Sequence, residues 1–145
     1  MGLDSVFQIN GSAMTAQMLR MEVHSSNLAN VNATRTPEGG PYRRKEVVFE
    51  AMPIGNFEDE LMTASNQGQA TAVGVEVTKV VEDPSPFLRR YNPGHPDAGA
   101  DGYVLMPNVD VVSEMVNIQE SARAYEANIA VIVAIKNMIG KTFEI

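Results

Sequence analysis

Stepping from Val111 by alternating threes and fours, the chain reads Val, Met, Ile, Ala, Tyr, Ile, Ile, Lys, Ile and Phe at 111, 115, 118, 122, 125, 129, 132, 136, 139 and 143. Nine of these ten positions are apolar, and Lys136 is the one interruption. A 3.5-residue apolar period held this long predicts a helix of about 30 residues, on the order of 45 Å in length. Ala127, Val131, Ala134 and Met138 draw another apolar line on nearly the opposite face. Pro107 keeps the helix from starting earlier, and either Asn108 or Asp110 can cap it. A helix that is apolar on opposite faces needs cover on both. The chain offers only one other long helical segment, so further copies or other subunits must supply the rest.

That other segment is 4–31. Phe7, Met14, Met18, Met21 and Leu28 fall on one stripe, and Val6, Ile9, Ala13, Ala16 and Val23 on a second, interrupted by Arg20. The stripes lie roughly 130° apart around a helix, with Gly11 its weak point. Nine Met, no Trp and 6% aromatics leave much of the packing to flexible thioethers.

Between the helices the period changes. "VGVEVTKVV" alternates, setting Val73, Val75, Val77 and Val81 on one strand face. "EVVFE", "FLRRY" and "YVLM" read as further short strands, and "ASNQGQATA" as an exposed loop. Dense Pro and Gly punctuation over 83–102 marks turns. The expected fold is mainly α with a small β-rich domain, the long terminal helices packing as a coiled coil in an assembly. Residues 1–34 and 108–145 form the helical part, and 35–107 the loop and β-rich part.

Several function classes are disfavoured. A net charge of −7 works against broad nucleic-acid binding. Residues 46–110 hold eleven anions against three cations, whereas 1–45 hold five cations against three anions. The absence of Cys excludes disulfides and thiolate metal sites. No basic and apolar leader opens the chain, Val6 stands where a myristoylation motif has Ser or Thr, and the longest apolar run, Ile129–Ile135, is too short to span a membrane. No secretion signal and no lipid anchor are expected.

His24 lies beside the methionine stripe and reads as structural; His95, in "GHPD", can pair with Asp97 but has no nucleophile or third ligand beside it. Glu58-Asp59-Glu60 reads as a solvated charge run, and no nucleotide, metalloprotease or hydrolase motif occurs. No catalytic, cofactor or metal residue is nominated, and the chain is not expected to be an enzyme. Arg43-Arg44-Lys45 reads as a salt-bridging contact to an acidic neighbour, which a sibling copy can provide.

The most distinctive stretch is "SNLANVNATRTPEGGPYRRK", residues 26–45. It closely resembles the N-terminal signature of bacterial flagellar axial proteins, in which Asn-x-x-Asn ends a helix before a Thr-containing loop. The extension "TRTPEGGPYRR", then "DPSPFLRRYNPGHPDAGADGYVLMPNVDVVSEMV" and "SARAYEANIAVIVAIKNMIGKTFEI", resemble one branch of that family, the proximal-rod C type. Ser26 and Ala33 depart from the usual Asn and Thr.

The resemblance implies a structural subunit of the flagellar basal-body rod, homo- and hetero-oligomeric, whose terminal helices build an inner tube. The rod crosses the periplasm and transmits motor torque. The implied partners are other proximal-rod and distal-rod subunits, and the membrane ring and export gate at the base. Export goes through the flagellar type III apparatus without signal cleavage. Interface positions are then Phe7, Met14, Met21 and Leu28 on the first helix and Asn27, Asn30, Thr34, Arg43 and Arg44 around the signature loop. Ile118, Tyr125, Asn128, Ile129, Ile132 and Ile139 join them from the last helix. Asn27 and Asn30 are expected to cap the first helix and to bond across subunits. The reading from a different class is a soluble coiled-coil adaptor or chaperone with a β-rich insert, which shares the heptads but not the Asn signature.

Overall fold

A computed structural model describes residues 3–54 and 73–143. The element order is α1 (Leu3–Ala29), β1 (Lys45–Pro53), β2 (Val73–Glu82), β3 (Leu88–Tyr91), β4 (Tyr103–Met106) and α2 (Val111–Phe143). Each segment read as helix or strand is present, and the fold is mainly helical with a small β part. The acidic run at 58–60 and the loop at 64–72 lie outside the described residues. The strands form two two-stranded sheets, β1 with β2 and β3 with β4. The β3–β4 pair is antiparallel, running from Leu88 opposite Met106 to Tyr91 opposite Tyr103.

Asp110 is the cap of α2. Its carboxylate accepts the Ser113 N–H at 3.0 Å and the Ser113 hydroxyl at 2.6 Å. Hydrogen bonds from Ser113 to its side chain hold the Asp110 carboxyl below the usual aspartate range. Asn108 is thereby free for another task, described below.

The chain divides into two compact units, one made of residues 1–19, 48–79 and 121–145, the other of 20–47 and 80–120. In the first, Gly74 of β2 is buried beside α1 and Ile54. A Cβ there would come within 2.6 Å of Ile54 Cδ1 and 2.8 Å of Ser12 Oγ, so the strand reaches the helix only because the side chain is missing. The Ser12 hydroxyl accepts the Val75 N–H at 3.2 Å and donates to the Ile9 carbonyl at 2.8 Å. The four valines share one strand face, on which Val73 and Val75 are exposed and Val77 and Val81 half-buried, while Gly74 on the other face is the buried residue. A strand face can approach a helix most closely where it carries no bulk.

The second unit has its apolar core in Val104 and Val109, with Pro107 enclosed beside them. Its remaining interior is polar, which is unusual enough to require a full set of hydrogen-bond partners.

Candidate assembly site

Glu114, one turn into α2, is 0% exposed. Its Oε1 accepts the Arg44 Nε–H at 2.6 Å; its Oε2 accepts Asn27 Nδ2–H at 3.1 Å and meets His24 Nδ1 at 2.6 Å. A carboxylate only accepts, so the proton of that last bond sits on the imidazole Nδ1. Burial alone would push the Glu114 carboxyl up; the bonds from Arg44, Asn27 and His24 outweigh it and hold the group below the usual glutamate range.

Asn27 is equally enclosed, at 0% exposure. Besides Glu114, its amide donates to the Lys45 carbonyl at 2.8 Å. Its oxygen accepts the Tyr42 hydroxyl and the Lys45 N–H, both at 2.9 Å. Both protons and both lone pairs are engaged. Asn27 thus fastens the end of α1 to the start of β1 inside one chain. The sequence led to the expectation of a bond from Asn27 across subunits; within the chain its bonds go to Lys45, Glu114 and Tyr42. Asn30 does cap the helix: its amide donates to the Ser26 carbonyl at 2.9 Å.

The loop that follows is built from short bonds. Thr36 N–H reaches Gly40 O at 2.8 Å and Tyr42 N–H reaches Ala33 O at 2.9 Å. Gly39 and Gly40 take φ of 91° and 77°, where a side chain would be strained. The Thr34 hydroxyl donates to Asp97 at 2.8 Å, and Arg35 pairs with the same carboxylate. These partners, Thr34 first, hold the Asp97 carboxyl below its usual range.

Two of the three cations in the run also turn inward. Arg44 bridges Glu114, Glu46 at 2.7 Å and Asp83 at 3.2 Å, and its N–H donates to Asn108 Oδ1 at 2.9 Å. Arg43 donates to the Asp83 and Ser85 carbonyls at 2.9 and 3.2 Å and stacks 4.3 Å from the Phe87 ring. The acidic partners read as belonging to a neighbouring copy are supplied by the same chain. Spacing along the sequence carries no sign of that, because Arg44 and Glu114 are seventy residues apart.

The helices present a complementary picture. On α2 the residues withdrawn from solvent are Glu114, Ser121 and Ile135, with Ile118, Tyr125, Asn128, Ile132 and Ile139 half-buried between them. These positions alternate by fours and threes; Ile118, Tyr125, Asn128, Ile132 and Ile139 are among those named from the sequence, and Glu114, Ser121 and Ile135 are not. Ile129 lies on the exposed side, with Met115 at 53% and Met138 at 61%. On α1 the withdrawn residues are Asn10, Ala16, His24 and Asn27. Phe7 and Met18 are exposed, and Met14, Met21 and Leu28 half-buried. His24, Tyr42 and Glu114 were not singled out as site residues; His24 and Asn27 lying three apart on one helix face was the available signal.

Among the described residues no group of three His, Asp or Glu is placed to hold a metal, and no helix is long and apolar enough to cross a membrane. Comparison with known proteins finds the family model "Flagella basal body rod protein" matching residues 7–35, and "Flagellar basal body rod FlgEFG protein C-terminal" matching 100–145. The "Flagellar basal-body rod protein FlgC" of Salmonella typhimurium is 46% identical over 142 residues, covering 98% of this chain and 96% of the relative. The protein of the same name from Bacillus subtilis is 44% identical over 142 residues, covering 94% of this chain and 93% of the relative. That from Borreliella burgdorferi is 39% identical over 142 residues, with 95% and 93% covered.

Proposed function

Because this chain belongs to the flagellar basal-body rod protein family and is a structural subunit of that rod rather than an enzyme, we propose that it serves in the proximal, periplasm-crossing part of the shaft that carries motor torque. In this reading residues 1–34 and 108–145 line the inner tube and 35–107 lie outside it. Neighbouring proximal-rod and distal-rod subunits cover the helices, the membrane ring and export gate adjoin the rod base, and the chain arrives by type III export without cleavage. The soluble adaptor or chaperone reading is set aside, since the relatives are rod proteins.

The observation that carries the tube reading is the outward apolar surface of the helices: Met18, Met115, Val116, Ile129, Val131, Val133 and Met138 are all exposed in the free chain. The interface positions expected from the sequence divide accordingly. Phe7, Met14, Met21, Leu28 and Ile129, with Ile118, Tyr125, Asn128, Ile132 and Ile139 along the seam edge, meet neighbours. Asn30 and Thr34 shape the loop that lies against them. Arg43 and Arg44 act from within the chain.

Met138→Asp tests this. The side chain is open to water in the free subunit, so the purified variant should unfold within about 0.5 kcal/mol of the native protein. In the tube the same carboxylate is desolvated at every copy, so cells should export the subunit, build no complete rod and not swim. Ile132→Asp should fail likewise while Ile132→Leu swims. Normal swimming by Met138→Asp, with complete basal bodies in negative stain, would remove the tube reading.

A further inference from the structure

A recess of about 240 Å³ in the second unit is lined by Asn32, Arg90, Asn92, His95, Val104 and Met106. Its polar rim, Asn32, Arg90, Asn92 and His95, can offer a hydrogen-bond donor from each side chain. Arg90 makes no ion pair or side-chain hydrogen bond with another described residue, whereas Arg89 beside it pairs with Asp101 at 2.7 Å and stacks on Tyr103. The His95 Nδ1 accepts the Asp97 N–H at 3.1 Å, which leaves the neutral ring's proton on Nε2 and makes that edge a donor. The nearest acid, Asp97, stands 3.9 Å from His95 Nδ1 and is already engaged by Thr34 and Arg35.

The rim is also held in shape. Asn92 N–H bonds the Gly102 carbonyl at 3.0 Å, His95 N–H the Asn92 carbonyl at 3.2 Å, and Ala98 N–H the His95 carbonyl at 3.0 Å. Pro93 and Pro96 stiffen the same turn. Val104, at 2% exposure, closes the apolar floor. An unpaired guanidinium, two amides and an imidazole N–H over an apolar floor match an acceptor-only ligand of about carboxylate or phosphate size.

We propose that this recess binds an oxyanion, either the carboxylate of an acidic side chain or inorganic phosphate. The guanidinium supplies charge and paired donors, and Asn32, Asn92 and His95 fix orientation.

The test is titration of the full-length chain with acetate and, separately, with inorganic phosphate, at constant ionic strength and pH 7. The readout is the side-chain amide resonances of Asn32 and Asn92 and the ring resonances of His95. Saturable shifts confined to these groups are expected. Saturation by acetate points to a carboxylate, such as an acidic side chain of another subunit, and saturation by phosphate alone points to the mineral anion. Arg90→Gln should weaken binding at least about tenfold, while Arg89→Gln leaves it within about twofold. The proposal is overturned if neither anion gives saturable shifts at the recess, or if Arg90→Gln binds as tightly as the native chain.

Discussion

His24 Nδ1 and Glu114 Oε2, ninety residues apart in the chain, lie 2.6 Å from each other, with neither side chain more than 5% exposed. The contact joins the last turns of α1 to the first turn of α2, and Arg44 and Asn27 complete the coordination of the carboxylate.

Removing the acceptor should therefore be costly. Glu114→Ala removes one of the three carboxylates paired with Arg44 and leaves His24 and Asn27 each with an unpaired donor. Breaking a buried pair costs about 3–5 kcal/mol, and Arg44, at 20% side-chain exposure with Asp83 and Glu46 still beside it, puts the expected loss near the lower end. Urea unfolding followed by circular dichroism measures it, and a cycle with Arg44→Ala isolates the coupling. A loss below about 1 kcal/mol would mean the hub is ornamental.

The same carboxylate makes stability depend on acid. Glu114 is held low against its burial by Arg44, Asn27 and His24, and Asp83 is held low by its bonds from Ser85 and then by Arg44. A lowered folded-state pKa means the unfolded chain takes up protons first. The stabilisation is complete above the unfolded carboxylate range of about 4 and drains away as pH falls through the folded values. The thermal midpoint should be nearly level between about pH 7 and 5 and fall below about 4. Glu114→Gln should lower the midpoint at pH 7 and flatten its acid dependence; an equally steep fall in that variant would assign the dependence elsewhere.

Two asparagines of one signature should behave differently. Asn27→Ala leaves the Lys45 N–H and carbonyl and the Tyr42 hydroxyl without their partner in an enclosed place, at about 1–3 kcal/mol per group left unsatisfied. Asn30 makes one exposed bond to Ser26, so Asn30→Ala should cost about 0.5–1.5 kcal/mol. Chemical denaturation of the two single variants compares them directly, and equal losses would contradict the assignment of Asn27 as the enclosed member.

Gly74 gives a steric prediction. Gly74→Ala pushes a methyl against Ile54 Cδ1 and Ser12 Oγ, and should destabilise by about 1–3 kcal/mol. Ile54→Val removes the atom nearest the new methyl, so the double variant should recover part of the loss. Additive losses in a double-mutant cycle would show that the two residues do not meet.

Much of this architecture was readable. Alternating valines and clustered Pro and Gly identify strands and turns because those constraints act over a few residues. The apolar row at 118, 125, 132 and 139 was readable for the same reason. The withdrawal of Glu114 and Ser121 was not, because polar residues at heptad spacing look like a solvated face until their partners are known. Arg44 shows the same limit: a cation in a run of three looks like an offer to another molecule, and only folding brings Glu114 and Asp83 to it.

The polar row of α2 has a consequence for alignment. Apolar side chains are nearly interchangeable under sliding: shifted by one heptad, about 10.5 Å, Ile132 takes the place of Ile139, one isoleucine for another. A glutamate clasped by an arginine, an asparagine and a histidine has only one place to stand. Displaced along the axis by two turns it would leave its three donors facing Ser121, which has no charge to offer. Where α1 ends against the start of α2, Glu114 therefore works as an index mark, turning a contact that oily surfaces would leave free to drift into one with a single zero.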